Sequence, residues 1–359
     1  MTIEERMEAL ENLGDFLGQF RRSGIVKQQE IPFNDPYLER LEHAIEQAVH
    51  HNGWFTRDNV LFSLEQWGEA LTRENLEHWL SRYTFEGVSP RKIGLVMAGN
   101  IPLVGLHDLL CVLICGHAAI IRQSSNDRVL MPVIVEYLQA LVPNWKDRMT
   151  LLEQTSGGGD RMSGYDAIVA TGSNNTSRYF EYYFRNVPSI IRKNRHSVAV
   201  LTGEESPEEL RALGEDIFRY FGLGCRNVSK LYLPEGFDFD RFFNAIYPWK
   251  HLIDHAKYAN NYDYNKAVYL MSQFELLENG FLILKKDPGL GSPIATLYYE
   301  TYSSLSQVRQ EILRQEDSIQ CIVSKGVFAQ EVLFGKTQQP QLWDYADGVD
   351  TISFLTEKI

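Results

Sequence analysis

The stretch Lys92-Ile93-Gly94-Leu95-Val96-Met97-Ala98-Gly99-Asn100-Ile101-Pro102 decides the class of fold. A short apolar run ending in Gly-Asn-Ile-Pro reads as a buried strand entering a tight turn. Working outward, a helix is predicted over 103–115, and Ala118 to Arg122 (AAIIR) is a second strand. Another helix follows over 127–141, 149–153 is a candidate strand, DAIVA at 166–170 is a clearer one, and 174–185 is helical. Short strands alternating with helices specify βαβ units and a largely parallel sheet, so the fold class is α/β. Ligands of such sheets bind beyond the carboxyl ends of the strands. The residues that matter most are therefore Gly99-Asn100, Arg122-Gln123-Ser124 and Thr171-Gly172-Ser173.

Upstream, residues 1–88 read as a helical segment packing on this domain, a cap or oligomerisation layer. Pro36 to His51 has helical apolar spacing, and a long helical segment starts after Thr56, a capping residue, and runs on to Tyr83. Downstream, SVAVL at 197–201 opens a second α/β segment. It continues with a helix over 207–220, a glycine-flanked turn, and a strand at 228–233. Helices are expected around 239–247 and 252–276, and strands near 281–285, 294–298 and 319–323. The domains are then 1–88, a cofactor domain at 89–200, and a catalytic domain at 201–359.

The chain has 359 residues, 44% of them apolar, enough for more than one core. With 47 Asp and Glu against 35 Lys and Arg, the net charge is −12, which argues against general nucleic-acid binding. An anionic small molecule needs only a local basic pocket. Four cysteines are too few for a disulfide framework at this length. The acidic, amphipathic start is unlike a signal peptide, and Leu109 to Ile121 is too short to span a bilayer, so a cytoplasmic protein without a membrane span is expected.

Cys225 lies in Phe221-Gly222-Leu223-Gly224-Cys225-Arg226-Asn227. Two glycines allow close approach of a substrate, and Arg226 would favour the reactive thiolate. The same sequence fits a buried, inert cysteine at a helix-to-strand turn. Asn100 suits an oxyanion-binding amide or a turn residue bonding its own backbone. Thr171-Gly172-Ser173 suits a phosphate-binding helix start or an ordinary cap.

Gly-Asn-Ile-Pro followed by Gly116 to Arg122, the strand ending in Thr171-Gly172-Ser173, and Gly224-Cys225 stand in the order kept by the aldehyde dehydrogenase superfamily, which this chain resembles over 91–300. FTRDNVLFSLEQWGEAL, SIIRKNRHSVAVLTGEE, FGLGCRNVSKLYLP and LWDYADGVDT are similar to its acyl-CoA reductase branch, the LuxC type that makes fatty aldehyde in bacterial bioluminescence. The resemblance implies an aldehyde dehydrogenase-like fold, a Rossmann-like cofactor domain plus an α/β catalytic domain. It also implies an aldehyde-forming reduction of a fatty acyl-CoA through an acyl-cysteine. In that reading Cys225 is the nucleophile, Asn100 holds the oxyanion, and Arg122, Ser124, Thr171, Gly172 and Ser173 hold the nicotinamide cofactor. An acyl-supplying protein partner and a homo-oligomer follow from the same resemblance. The alternatives are an acyltransferase or thioesterase using Cys225 without nicotinamide, and a non-catalytic acyl-binding protein.

The departures sharpen this. Where hydrolytic members carry a water-activating Glu, this chain has Arg192-Lys193-Asn194-Arg195-His196, which suits thiol exchange and reduction better than hydrolysis. Glu204 and Glu205 are the nearest substitutes. The Glu that holds the nicotinamide ribose is matched only by Gly289 to Pro293. Arg122 replaces the usual Lys, and a guanidinium there favours NADPH over NADH.

No metal site is expected. His107, Cys111 and Cys115 read as a core helix face, and His251 and His255 as a solvent-facing helix pair. Ser156 to Gly159 reads as a turn. The basic run at 192–196 is either a solvated strand edge or an attractor of CoA or cofactor phosphates.

Overall fold

The structure, a computed structural model, describes residues 1–152 and 162–359, so the turn read at 156–159 lies outside the described residues. It divides into two compact units, 1–193 with 341–359, and 194–340. The division falls between Lys193 and Asn194 rather than near 200, and residues 341–359 belong to the first unit rather than the second.

The first unit opens with α1 (Ile3–Leu17), whose Thr2 and Glu5 form a reciprocal cap. A small hairpin, β1 (Phe20–Arg21) and β2 (Gly24–Ile25), leads to α2 (Asn34–His51), α3 (Arg57–Ala70) and α4 (Arg73–Leu80). Thr56 caps α3, but the single long helix expected after it is two. The Thr72 hydroxyl accepts from the Asn75 amide at 3.3 Å and starts α4, a cap that stabilises a helix end by about 1 kcal/mol. Leu10, Leu13, Phe16, Leu41, Ile45, Leu64 and Trp79 of these helices join Ile93, Leu95 and Ile121 of the following sheet in one core.

That sheet comprises β3 (Lys92–Val96), β4 (Ala118–Arg122), β5 (Met149–Leu151), β6 (Ala167–Thr171) and β7 (Ser189–Arg192). Between them run α5 (Leu106–Ile114), α6 (Leu130–Leu141) and α7 (Asn174–Tyr183). All pairings are parallel, in the order β5-β4-β3-β6-β7, with Ile93 registered against Ala119 on one side and Ala167 on the other. The chain builds outward from β3 to β5, then returns to the far side of β3 with β6. The strand order reverses between β3 and β6, and the carboxyl ends at such a switch point are the usual ligand site of these sheets. Helices α5 and α6 start three residues later than expected because Leu103 adopts a left-handed conformation (φ 56°) and Asp127 turns its carboxylate to the Leu103 amide.

The second unit holds β8 (His196–Val200), α8 (Pro207–Phe218), β9 (Val228–Pro234), α9 (Phe239–Ile246) and α10 (Ala256–Met271). It continues with β10 (Leu276–Glu278), β11 (Ile283–Lys286), β12 (Thr296–Tyr302), α11 (Leu305–Arg314) and β13 (Ile319–Val323). The strand order is β10-β11-β12-β9-β8-β13, antiparallel only between β10 and β11. His251 and His255 do not form a helix pair, because His251 lies in a 3-10 segment (Tyr247–Asp254) and His255 precedes α10.

The chain then returns to the first unit, where α12 (Thr351–Glu357) ends it. Trp79 Nε1 donates to the Tyr345 hydroxyl at 2.8 Å, and Tyr83 donates to Asp350 at 2.7 Å. His107 Nε2 meets the Leu342 carbonyl at 2.8 Å, and His117 Nε2 meets that of Leu355 at 2.9 Å. Among the described residues no helix is long and apolar enough to cross a membrane.

Candidate active site

Of the four cysteines, Cys225 alone is half-buried, while Cys111, Cys115 and Cys321 are buried. Burial pushes the Cys111 and Cys115 thiols up, away from the reactive thiolate, and the core reading of α5 holds. Among the described residues no cluster of metal-ligating side chains occurs.

Cys225 follows the exit from α8. Tyr220 (φ 55°), Phe221 (φ 57°) and Gly222 (φ 76°) are consecutively left-handed, a conformation costing about 1–2 kcal/mol for each residue that carries a Cβ. Both aromatic side chains are buried, and the Phe221 ring packs 4.6 Å from that of His255, which offsets the strain. The turn is fastened on several sides. Ser197 donates to the Cys225 carbonyl at 2.9 Å and accepts from the Cys321 amide at 3.1 Å. Arg226 Nε donates to the Thr337 carbonyl at 2.7 Å. Thr337 is in turn gripped by buried Asp216, whose carboxylate accepts from the Gly335 amide (2.6 Å), the Thr337 amide (2.9 Å) and the Thr337 hydroxyl (2.9 Å). Burial pushes Asp216 up to about 6 against these bonds.

The other predicted site residues stand in the first unit at the carboxyl ends of its strands. Asn100 is exposed in the turn after β3. Behind it Gly99 is required: a Cβ there would meet Ser124 Cβ and Oγ at 2.5 Å, so the loops after β3 and β4 touch. Asp127 Oδ2 accepts from the Leu103 amide at 2.9 Å, and Ser63 Oγ donates to the Pro102 carbonyl at 3.1 Å. Burial raises Asp127 to about 6. Arg122 ends β4 and is exposed, with Ser124 half-buried beyond it. Thr171 ends β6, and Ser173 caps α7 by accepting from the Thr176 amide at 3.3 Å. Asn100, Arg122, Ser124 and the Thr171-Gly172-Ser173 run thus share one end of one sheet, and Cys225 belongs to the second unit.

Arg192 is neither a solvated edge nor an anion attractor. It is 4% exposed, with Nη2 on Asp108 (2.6 Å) and Thr351 (2.9 Å) and Nη1 on the Ala346 carbonyl (2.7 Å). Lys193 pairs with Glu181 at the surface, and Arg195 donates to the Ile319 carbonyl at 3.2 Å. His196 packs on Gly291, where a Cβ would meet its ring at 2.4 Å, and burial lowers its pKa. Glu205 is consumed by its own loop, accepting from the Thr202 amide (2.6 Å), the Thr202 hydroxyl (2.9 Å) and the Gly203 amide (3.1 Å), while Glu204 is exposed.

Asp127, Ser197, Asp216 and Asn227 were not anticipated. Only Asp127 carried a signal, since Ser-Asn-Asp before an apolar run is a helix-start composition.

The sequence profile of the family described as acyl-CoA reductase (LuxC) matches residues 10–242, more than half of the chain. No curated protein sequence matches. Among solved structures, aldehyde dehydrogenase 21 from Physcomitrella patens, in complex with the reaction product succinate, is similar at TM-score 0.68 and 11% identity, over 99% of this chain and 84% of that one. A double mutant of betaine aldehyde dehydrogenase from Staphylococcus aureus, in complex with NAD+, is similar at TM-score 0.63 and 11% identity, over 91% and 72%. The Delta-pyrroline-5-carboxylate dehydrogenase from Mycobacterium tuberculosis is similar at TM-score 0.62 and 14% identity, over 94% and 69%. The fold is that of the aldehyde dehydrogenases.

Proposed function

We propose, for a chain that belongs to the acyl-CoA reductase (LuxC) family, an NADPH-dependent reduction of a fatty acyl-CoA to the aldehyde through a thioester on Cys225. The observation that carries the nucleophile assignment is that Cys225 is the one half-buried thiol, held in a turn fastened from several sides, while the other three are buried.

The Cys225 thiolate attacks the thioester carbonyl carbon. The C–S bond to CoA breaks with its electron pair on the CoA sulfur, which takes up a proton from solvent. Asn100 is assigned as a donor to the developing oxyanion, a role whose loss typically costs about 10²–10³ in rate. The residues at the carboxyl end of the first unit's sheet fit a nicotinamide nucleotide. The capped start of α7 favours a phosphate, and exposed Arg122 suits a 2′-phosphate. Bound there, the reduced cofactor supplies the hydride that takes the acyl carbon to the aldehyde level. The oxyanion then re-forms the carbonyl and expels the Cys225 thiolate. That release needs no carboxylate base, in keeping with Glu205 being tied into its own loop.

The test is incubation of the purified protein with tetradecanoyl-CoA and NADPH, following absorbance at 340 nm and aldehyde, with Cys225→Ala and Asn100→Ala alongside. NADPH loss matched by aldehyde and abolished in Cys225→Ala is expected. CoA release without NADPH oxidation would replace the reductase with an acyltransferase or thioesterase.

A further inference from the structure

We propose that Asn227 is the positioning residue of the Cys225 turn, one amide side chain fixing both the residue before the thiol and the end of the helix that leads to it. The proposal rests on the reading of Cys225 as nucleophile and goes beyond it to what sets the thiol in place.

Asn227 is buried, and every polar atom of its amide is used. Its Oδ1 accepts from the Gly224 amide at 2.8 Å. Its Nδ2 donates to the Asp216 carbonyl at 3.0 Å and the Arg219 carbonyl at 2.9 Å, with that of Ile217 at 3.4 Å. Its backbone amide donates to the Gly224 carbonyl at 3.0 Å, so Gly224 is held through both its peptide groups by the same residue.

The chain's path explains why this is needed. A helix that ends leaves its last carbonyls without intrahelical donors. Here the backbone leaves α8 through left-handed Tyr220, Phe221 and Gly222, and the Asn227 amide supplies donors to the carbonyls left behind. The same planar group carries an acceptor, and that acceptor is spent on the residue preceding Cys225. Only Asn or Gln places a donor and an acceptor on one fork that stays uncharged at every pH, and the shorter side chain is the one present. Ser197 on the Cys225 carbonyl and Arg226 on Thr337 hold the other flank, so Asn227 closes a clasp around the thiol residue. A residue serving only as a helix cap would lack the Gly224 bond.

The full-length protein and its Asn227→Ala, Asn227→Asp and Cys225→Ala variants are compared for turnover of tetradecanoyl-CoA and for alkylation of Cys225 by iodoacetamide, read by peptide mass spectrometry. In Asn227→Ala, kcat falls by about 10²-fold with KM nearly unchanged, since misplacement of about 1 Å has that effect. The alkylation rate of Cys225 changes in parallel. In Asn227→Asp the carboxyl must carry a proton to replace the amide donor beside three carbonyls, so activity is retained at acid pH and lost toward pH 8, a limb absent from the native profile. Native kcat and native alkylation in Asn227→Ala overturn the proposal. If Asn227→Ala does not fold, a native pH profile in Asn227→Asp overturns it instead. Full activity in Cys225→Ala sinks the nucleophile reading, and the alkylation rates still decide whether Asn227 sets the thiol.

Discussion

The carboxylate of Asp127 accepts a hydrogen bond from the backbone amide of Leu103 at 2.9 Å, across 24 residues of sequence. That single contact anchors the turn carrying Asn100 to the loop that follows Arg122 and Ser124, and it holds Leu103 in its left-handed conformation. Asp127→Ala leaves a buried amide without its partner, a loss of about 1–3 kcal/mol. Denaturant unfolding should register that loss. Turnover of acyl-CoA should fall while Cys225 alkylation stays native, because Cys225 belongs to the other unit.

Asp216 gives stability a definite pH dependence. Burial raises its folded pKa to about 6, above the ordinary 3.8, so the native state holds a proton that the unfolded chain releases. Its contribution is fully present below the unfolded value and declines as pH rises through about 6. Urea midpoints measured from pH 4 to 7 for the native protein and for Asp216→Asn should differ by a curve that falls over that window in the native protein only. A flat difference would sink the assignment.

His117 acts in the opposite sense. Its Nδ1 accepts from the Arg91 amide at 3.1 Å and its Nε2 donates to the Leu355 carbonyl at 2.9 Å, so the ring is neutral with the proton on Nε2. Burial lowers its folded pKa below 6.5. Its contribution is present above the unfolded value and is lost as pH falls through the folded one. Protection of the amides in 351–359 against hydrogen exchange, corrected for the slower intrinsic exchange in acid, should therefore fall on acidification below pH 6.5, and that fall should vanish in His117→Ala.

Arg192 should be the costliest charged residue of the first unit to remove. Arg192→Met strands Asp108 together with the Ala346 carbonyl and the Thr351 hydroxyl, and breaking one side of a buried pair typically costs about 3–5 kcal/mol. Arg192→Lys should recover only part of this, because an ammonium lacks the fork that reaches three acceptors. Thermal melts of the two variants settle the order.

The parallel sheets were legible because KIGLV, AAIIR and AIVAT are apolar runs ending at turns, and a buried parallel strand has no polar face to break the run. The sequence around Cys225 fitted an inert turn cysteine as well as a nucleophile, and it was the resemblance that singled it out. What escaped has causes of three kinds: distance along the chain, brevity and backbone conformation. Arg192 reads as a surface charge until Asp108, 84 residues earlier, and Thr351, 159 later, are brought to it. Strand β10 is three residues with a Glu, too short for any period to register. Tyr220 and Phe221 give no warning of a left-handed backbone, so the need for Asn227 beneath them is invisible before the turn is built.

The return of residues 341–359 to the first unit bears on how the protein is made. Trp79 bonds Tyr345 across 266 residues, and His117 bonds Leu355 across 238. A ribosome releases the N-terminal half long before it has spelled the segment that finishes it. The nascent first unit therefore carries a bare apolar seam throughout synthesis of the second, and contacts so distant in sequence form slowly. The unit begun first is sealed last.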